Sequence, residues 1–121
     1  MATRRRAAEH SLRLRPRMYR DAEIALGPGK IALLAAIADT GSIRLAAENM
    51  GMSYMRAWTL VRTMNGCFKR PLVQALRGGR DGGRAQLTPE GQEILKFYRQ
   101  LATASHGASQ PYWRKFERQM K

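Results

Sequence analysis

The segment from Thr40 to Gly66 constrains the fold of this chain more than any other, because it contains two short helical patterns separated by one glycine. Ser42 and Ser53 precede the two patterns, and a serine hydroxyl there can accept from backbone N–H groups that have no partner in the first turn. Gly51 stands where the first helix must end, and glycine adopts the left-handed backbone of a helix terminus at little cost. The spacing predicts a helix-turn-helix, whose second helix enters the DNA major groove.

The second helix of this motif has two unlike sides at about 100° per residue. The apolar side, which we expect to pack on the first helix, carries Ala57, Leu60, Val61 and Met64. The opposite side and its flanks carry Met55, Thr59, Arg62, Arg56, Thr63 and Trp58. Neither side has an acidic residue that would repel phosphate. An ordinary amphipathic helix with a basic solvated face is the alternative, but it leaves the cap–turn–cap spacing unexplained.

The charge of the chain indicates a polyanionic partner. Its 121 residues carry 22 basic and 9 acidic side chains, a net charge of +13, and 44% are hydrophobic. That composition suits one domain with a modest core, and the basic excess is typical of nucleic-acid binding. Most of the basic residues are arginines, which suit bidentate contacts to phosphate and guanine.

Cysteine, histidine and hydropathy argue against other classes of protein. Cys67 is the single cysteine, which fits a reducing cytoplasm, and no apolar run reaches the ~18 residues of a membrane span. His10 and His106 lie in tail or helix-breaking segments, and no metal-ligand spacing occurs. We therefore expect a cytoplasmic protein that is not an enzyme and binds neither a cofactor nor a metal.

The first part of the chain is predicted to be a basic arm followed by β structure. Residues 1–11 are small, polar and basic, and we expect a flexible arm that contacts DNA or stays solvated. Residues 12–19 alternate apolar and basic side chains, which predicts an edge strand with three inward residues. A turn over residues 21–23 would lead to a short second strand. The inward residues of the first strand would be Leu12, Leu14 and Met18, and the second strand would include Ile24 and Leu26.

A helix that is apolar nearly all round is predicted after Pro28, which suits the first helical turn. Residues 30–39 have apolar side chains on more than one side, so the helix should be buried on two sides. One side would meet the helix-turn-helix, and the other a second copy of the protein. We therefore expect a homodimer, with an enclosed helix in a monomer as the alternative.

A strand, a glycine-rich loop and a second strand follow the helix-turn-helix, at 72–77, 78–83 and 84–87. This order predicts a wing, a hairpin beside the recognition helix, with Arg77, Arg80 and Arg84 on or beside its tip. A phosphate-binding loop is the weaker interpretation, because the loop matches neither glycine motif of such sites.

The last part of the chain is predicted to form two helices. Thr88 and Pro89 mark a helix start, and the helix should run to about Ser105 with Ile94, Leu95, Tyr98, Leu101 and Ala102 on its apolar stripe. Residues 106–109 would break the chain, and a short helix would begin at Pro111. The expected organisation is an arm at 1–11, a winged helix-turn-helix at 12–105 and a C-terminal helix at 106–121, a mainly α fold with a small β wing and an N-terminal β segment. A membrane-surface role for the last helix is a minor alternative.

The run Gly51-Met52-Ser53-Tyr54-x-x-Ala57-Trp58, followed by Met64-Asn65, resembles the DNA-binding domain of the ModE family of molybdate-responsive regulators. Gly41-Ser42-Ile43 and Leu87-Thr88-x-x-Gly91-Gln92 support the resemblance, and a looser one to LysR-type regulators covers residues 41–91. The resemblance implies a dimeric winged-helix transcription regulator. Full-length members also carry molybdate-binding β-barrels, for which the roughly 20 residues after Leu101 leave no room, so no molybdate site is expected here. Met55 stands where we expect a polar or basic residue in the family.

The leading hypothesis is a sequence-specific regulator that binds double-stranded DNA. A non-specific architectural or RNA-binding protein is the alternative, and it lacks the exposed stacking aromatics expected of an RNA-binding sheet. The residues predicted to contact DNA are Ser42, Arg44, Ser53, Tyr54, Met55, Arg56, Thr59, Arg62, Thr63, Arg77, Arg80 and Arg84.

Overall fold

The computed structural model describes residues 8–77 and 83–121, so the arginines of the predicted arm and the loop tip with Arg80 lie outside the described residues. The elements in chain order are β1 Met18–Arg20, β2 Glu23–Leu26, α1 Pro28–Thr40, α2 Ile43–Asn49, α3 Tyr54–Cys67, β3 Val73–Ala75, β4 Ala85–Leu87 and α4 Pro89–Glu117. β1 pairs with β2 and β3 with β4, both antiparallel. This is the predicted winged helix-turn-helix, mainly α with a small β wing.

The helix-turn-helix is capped as the sequence predicts. Ser42 Oγ accepts from the Leu45 backbone N–H at 3.1 Å, and Ser53 Oγ accepts from that of Arg56 at 3.0 Å. Gly51 has a φ of 66°, in the left-handed region between α2 and α3. These local hydrogen bonds fix where both helices begin and the angle at which the chain turns between them.

The core forms around α1. Leu33, Leu34 and Ile37 are fully buried, and α1 packs against α2 and α3 as well as against β4 and α4. Ala46 of α2 and Ala57 of α3 are fully buried, which lets these helices approach closely. The apolar side chains on more than one side of α1 are therefore explained by packing against other elements of the same chain.

The N-terminal strand is shorter than predicted. β1 begins at Met18, residues 8–17 have no regular structure, and Leu14 is 41% exposed, so its predicted inward position is wrong. Pro16 cannot donate to a ladder; its carbonyl instead accepts from the Tyr98 hydroxyl at 2.7 Å. His10, within the predicted arm, has Nε2 2.9 Å from the Lys121 carbonyl oxygen.

The wing strands pair with Val73 opposite Leu87 and Ala75 opposite Ala85. Both strands are shorter than predicted, but they flank the expected loop. Arg84 lies just outside β4 and forms an isolated bridge with Ser42. The wing is thus joined by backbone to the start of α2.

α4 is one continuous helix of 29 residues, so the predicted break at residues 106–109 and the separate final helix are wrong. Pro111 removes one N–H donor, for the carbonyl of Gly107, and Gly107 is exposed to water. The neighbouring His106 carbonyl accepts from Ser109 Oγ at 2.7 Å and from Gln110 Nε2 at 3.2 Å. The helix therefore continues through the proline with the loss of one backbone donor, at a turn that is exposed to solvent. In the described residues, no helix is both long and apolar enough to cross a membrane.

Candidate nucleic-acid interface

The outer face of α3, defined here as Met55, Thr59 and Arg62, is exposed to solvent. Met55 is 76% exposed, an unusual position for a large apolar side chain. The opposite side of the helix is buried through Ala57, Val61 and Met64, while Leu60 is half-buried. The angular prediction for α3 is therefore confirmed. The outer face and its flanks carry two arginines and no carboxylate.

The hydroxyl groups of the two α3 threonines donate hydrogen bonds to the helix backbone. Thr59 Oγ1 donates to the Met55 carbonyl at 3.0 Å, and Thr63 Oγ1 donates to the Thr59 carbonyl at 3.0 Å. Each hydroxyl oxygen keeps lone pairs, so these side chains can accept from a base or a water molecule. Because the proton is engaged, donation from this face must come mainly from Arg56 and Arg62.

An arginine of α2 stacks on an aromatic ring of α3. The Arg44 guanidinium carbon lies 4.5 Å from the centroid of the Tyr54 ring. Tyr54 in turn meets Trp58 edge to face, with ring centroids 6.3 Å apart and planes at 82°. Such a cation–π contact at an exposed site contributes about 0.5–1 kcal/mol. The stack positions the Arg44 charge beside the first turn of α3.

The wing is fixed to the start of α2 by two backbone hydrogen bonds. Ile43 N–H donates to the Gly83 carbonyl at 2.7 Å, and Ala85 N–H donates to the Gly41 carbonyl at 3.0 Å. Leu76 N–H donates to the Arg84 carbonyl at 2.8 Å, which continues the ladder into β3. The arrangement brings Ser42 and the exposed side chains of Arg44 and Arg84 to one region of the surface.

Ser53 and Arg77 are the other predicted contact residues within the part of the chain that the structure describes. Ser53 is exposed at the start of α3, with its hydroxyl engaged as the helix cap. Arg77 is exposed and is the last described residue before the loop tip.

Asn65 is a structural residue of this site that sequence reasoning did not find. Its Oδ1 accepts from the backbone N–H groups of Leu72 at 2.9 Å and Val73 at 3.2 Å. Its Nδ2 donates to the Val73 carbonyl at 3.1 Å. One side chain thereby joins the end of α3 to β3. An asparagine just before a helix end was the only signal in the sequence.

The family model of bacterial regulatory helix-turn-helix proteins of the lysR family matches residues 29–92, which include α2, the turn and α3. The chain belongs to this family. In the residues that the structure describes, this lysR-family domain has no group of three or more His, Cys, Asp or Glu side chains that could hold a metal.

The relatives of this lysR-family chain include molybdenum-related proteins. It is 47% identical over 73 residues to the molybdenum-pterin-binding protein MopB of Rhodobacter capsulatus, covering 60% of this chain and 27% of MopB. It is 44% identical over 87 residues to the molybdenum transport protein ModE of Azotobacter vinelandii, covering 70% and 32%. It is 37% identical over 92 residues to the DNA-binding transcriptional dual regulator ModE of Escherichia coli K12, covering 76% and 33%. The chain spans about a third or less of these relatives' lengths.

Solved structures share the fold. The CbnR DBD in its DNA complex aligns with a TM-score of 0.55 at 19% identity, over 74% of this chain and 95% of that one. The BenM DBD in complex with catB site 1 DNA aligns with a TM-score of 0.52 at 16% identity, over 71% of this chain and 90% of that one. These likenesses confirm the winged-helix architecture.

Proposed function

We propose that this domain binds a defined sequence of double-stranded DNA with α3 in the major groove and thereby regulates transcription in a bacterium. The observation that carries the proposal is the exposed, acid-free outer face of α3, with Arg62 on it and Arg56 beside it. The BenM and CbnR domains, which have the same fold, were solved in complexes with DNA, and this supports DNA as the partner. Two relatives named as regulators favour this role over an enzymatic one.

Each part of the surface has a proposed task. The residues proposed to contact base edges are Met55, Arg56, Thr59, Arg62 and Thr63. The residues proposed to contact phosphates are Ser42, Arg44, Ser53, Tyr54, Arg77, Arg80 and Arg84. Phosphate contacts supply most of the affinity and base contacts most of the discrimination. The names of the MopB and ModE relatives support target genes in molybdenum physiology.

A homodimer formed along α4 is part of the proposal. Phe97, Leu101, Ala104 and Ala108 are spaced by four, three and four residues, the interval at which helices pair. All four are exposed, and Phe97 and Leu101 are exposed by 52% and 40%. A second copy packed on this stripe would cover them and hold two α3 helices for a two-fold symmetric site.

Light scattering tests the dimer. Leu101→Glu should convert a dimeric mass to a monomeric one, whereas Gln100→Glu, an exposed change on the same helix turn, should leave it dimeric. An equal mass for both variants would contradict pairing along this stripe.

Selection from a random duplex pool tests the DNA proposal. The protein should enrich one inverted-repeat motif, and Arg56→Ala and Arg62→Ala should weaken binding to that motif more than to random DNA. Equal weakening would mean that these arginines only hold phosphate. A protein that enriches no motif would instead be a non-specific architectural protein.

A further inference from the structure

The outer face of α3 contains a shallow depression that the roles above leave unexplained. It is lined by Met55, Trp58, Thr59 and Arg62 and has a volume of about 170 Å³. Met55, which borders it, is exposed by 76% and lies on the same helix as the exposed Arg56 and Arg62. A methionine side chain cannot bind phosphate. Its exposure on this face therefore suggests that it contacts an apolar group of the ligand.

We propose that this depression receives the C5-methyl group of a thymine in the major groove, so that Met55 and Trp58 are specificity-determining residues. The inference rests on the proposed function, since it assumes that α3 faces base edges. Thymine presents a methyl group and the O4 acceptor in that groove. Met55 and Trp58 offer apolar surface to the methyl, and Arg62 at the edge can donate to O4 or to a neighbouring guanine.

The lining of the depression is a poorer match for adenine and cytosine than for thymine. Adenine and cytosine each present an amino donor in the major groove, which an amide or carboxylate side chain accepts well. None of the four lining side chains is an amide or a carboxylate. The one side-chain oxygen among them is Thr59 Oγ1, which donates its proton to the Met55 carbonyl at 3.0 Å and so can only accept, whereas an amide would offer adenine both a donor and an acceptor.

The backbone-bonded hydroxyl also shapes the depression. With its proton engaged, Thr59 Oγ1 is held against the helix, and the threonine methyl adds apolar surface. Trp58 meets the Tyr54 ring edge to face, with ring centroids 6.3 Å apart. One flexible methionine can then close over a methyl group without moving the backbone.

The test removes only the methyl group. In the selected duplex, each thymine is replaced in turn by deoxyuridine, and binding is measured by fluorescence anisotropy. At one position in each half-site, the deoxyuridine replacement should lower the affinity of the protein for the duplex roughly fourfold. This is the factor expected for burial of one methyl group. The same replacement should have little effect on Met55→Ala or Trp58→Ala, because the methyl would have lost its contacts.

Met120→Ala is the matched control, because Met120 is also exposed, by 48%, but lies at the far end of the chain. It should keep the deoxyuridine penalty. If wild-type protein binds a selected duplex and tolerates deoxyuridine everywhere, or if the penalty persists in Met55→Ala, the thymine proposal is wrong while the proposed function stands. If no duplex is selected, the proposed function itself fails.

Discussion

The guanidinium carbon of Arg44 lies 4.5 Å from the centroid of the Tyr54 ring, so a charge on α2 is positioned by an aromatic side chain on α3. The contact joins the two helices of the motif on their solvent side. It also keeps an arginine in place before DNA arrives, which lowers the conformational entropy lost on binding.

Replacing Arg44 should reduce the salt dependence of DNA binding. Each phosphate contact contributes about −0.9 to the slope of log K against log salt. Arg44→Ala should therefore make this negative slope shallower by about 0.9 per protomer. Tyr54→Phe should leave it unchanged because the ring face is kept. Arg118→Ala, an equal loss of charge at the end of α4, is the control. If it makes the slope shallower by as much as Arg44→Ala does, Arg44 makes no specific phosphate contact.

Asn65→Ala should destabilise the domain by about 1–3 kcal/mol, because two backbone N–H groups and one carbonyl would lose their partner. Urea unfolding followed by circular dichroism measures the change. Asn49→Ala, at an exposed position at the end of α2, should change stability by less than about 0.5 kcal/mol. Equal losses in the two variants would show that Asn65 does not join α3 to β3 in solution.

Gly91→Ala should destabilise the domain by about 1–3 kcal/mol, because an added Cβ would overlap the Leu72 carbonyl oxygen. Gly107→Ala, on the same helix, is the control. A Cβ at Gly107 has nothing within 4 Å, so alanine there should stabilise α4 by about 0.5–1 kcal/mol. Thermal unfolding of both variants measures this, and a neutral Gly91→Ala would contradict the close approach of α4 to the chain before β3.

Ionisation of Glu90 should make the free energy of unfolding of the domain decrease as the pH is lowered into the acid range. A hydrogen bond from its own backbone N–H at the start of α4 lowers the pKa of the carboxyl, and Arg70 Nη1, 3.1 Å from Glu90 Oε1, lowers it further. The ionised form is therefore favoured in the folded state. Its contribution is present above the pKa of the unfolded chain and is lost as the pH falls through the lower, folded pKa.

An NMR titration should place the midpoint of Glu90 below the ordinary glutamate value. Arg70→Ala should raise it only in part, because the backbone hydrogen bond remains. Full return to the ordinary value in Arg70→Ala would show that the helix start contributes nothing.

The helix-turn-helix could be predicted from the sequence because its signals are local. Ser42, Gly51 and Ser53 each act on backbone within a few residues, and the two sides of α3 follow from helical spacing alone. The family resemblance to ModE, which was carried by residues of the same segment, is confirmed.

The rest depended on contacts between distant residues. The stack of Arg44 on Tyr54 and the bonds of Asn65 exist only after α2, α3 and β3 have packed. The predicted break before Pro111 was wrong because helix-breaking propensity is a local preference, and here the proline removes only one backbone donor, at an exposed turn of a long helix.

Methylation interference on the selected duplex directly tests whether α3 binds in the major groove. Methyl groups on guanine N7 mark the major groove, and those on adenine N3 mark the minor groove. With α3 in the major groove, N7-methylguanine within the half-sites should block binding, and Arg62→Ala should weaken that block at one position. If only N3-methyladenine interferes, the protein binds through the minor groove and the central claim is wrong.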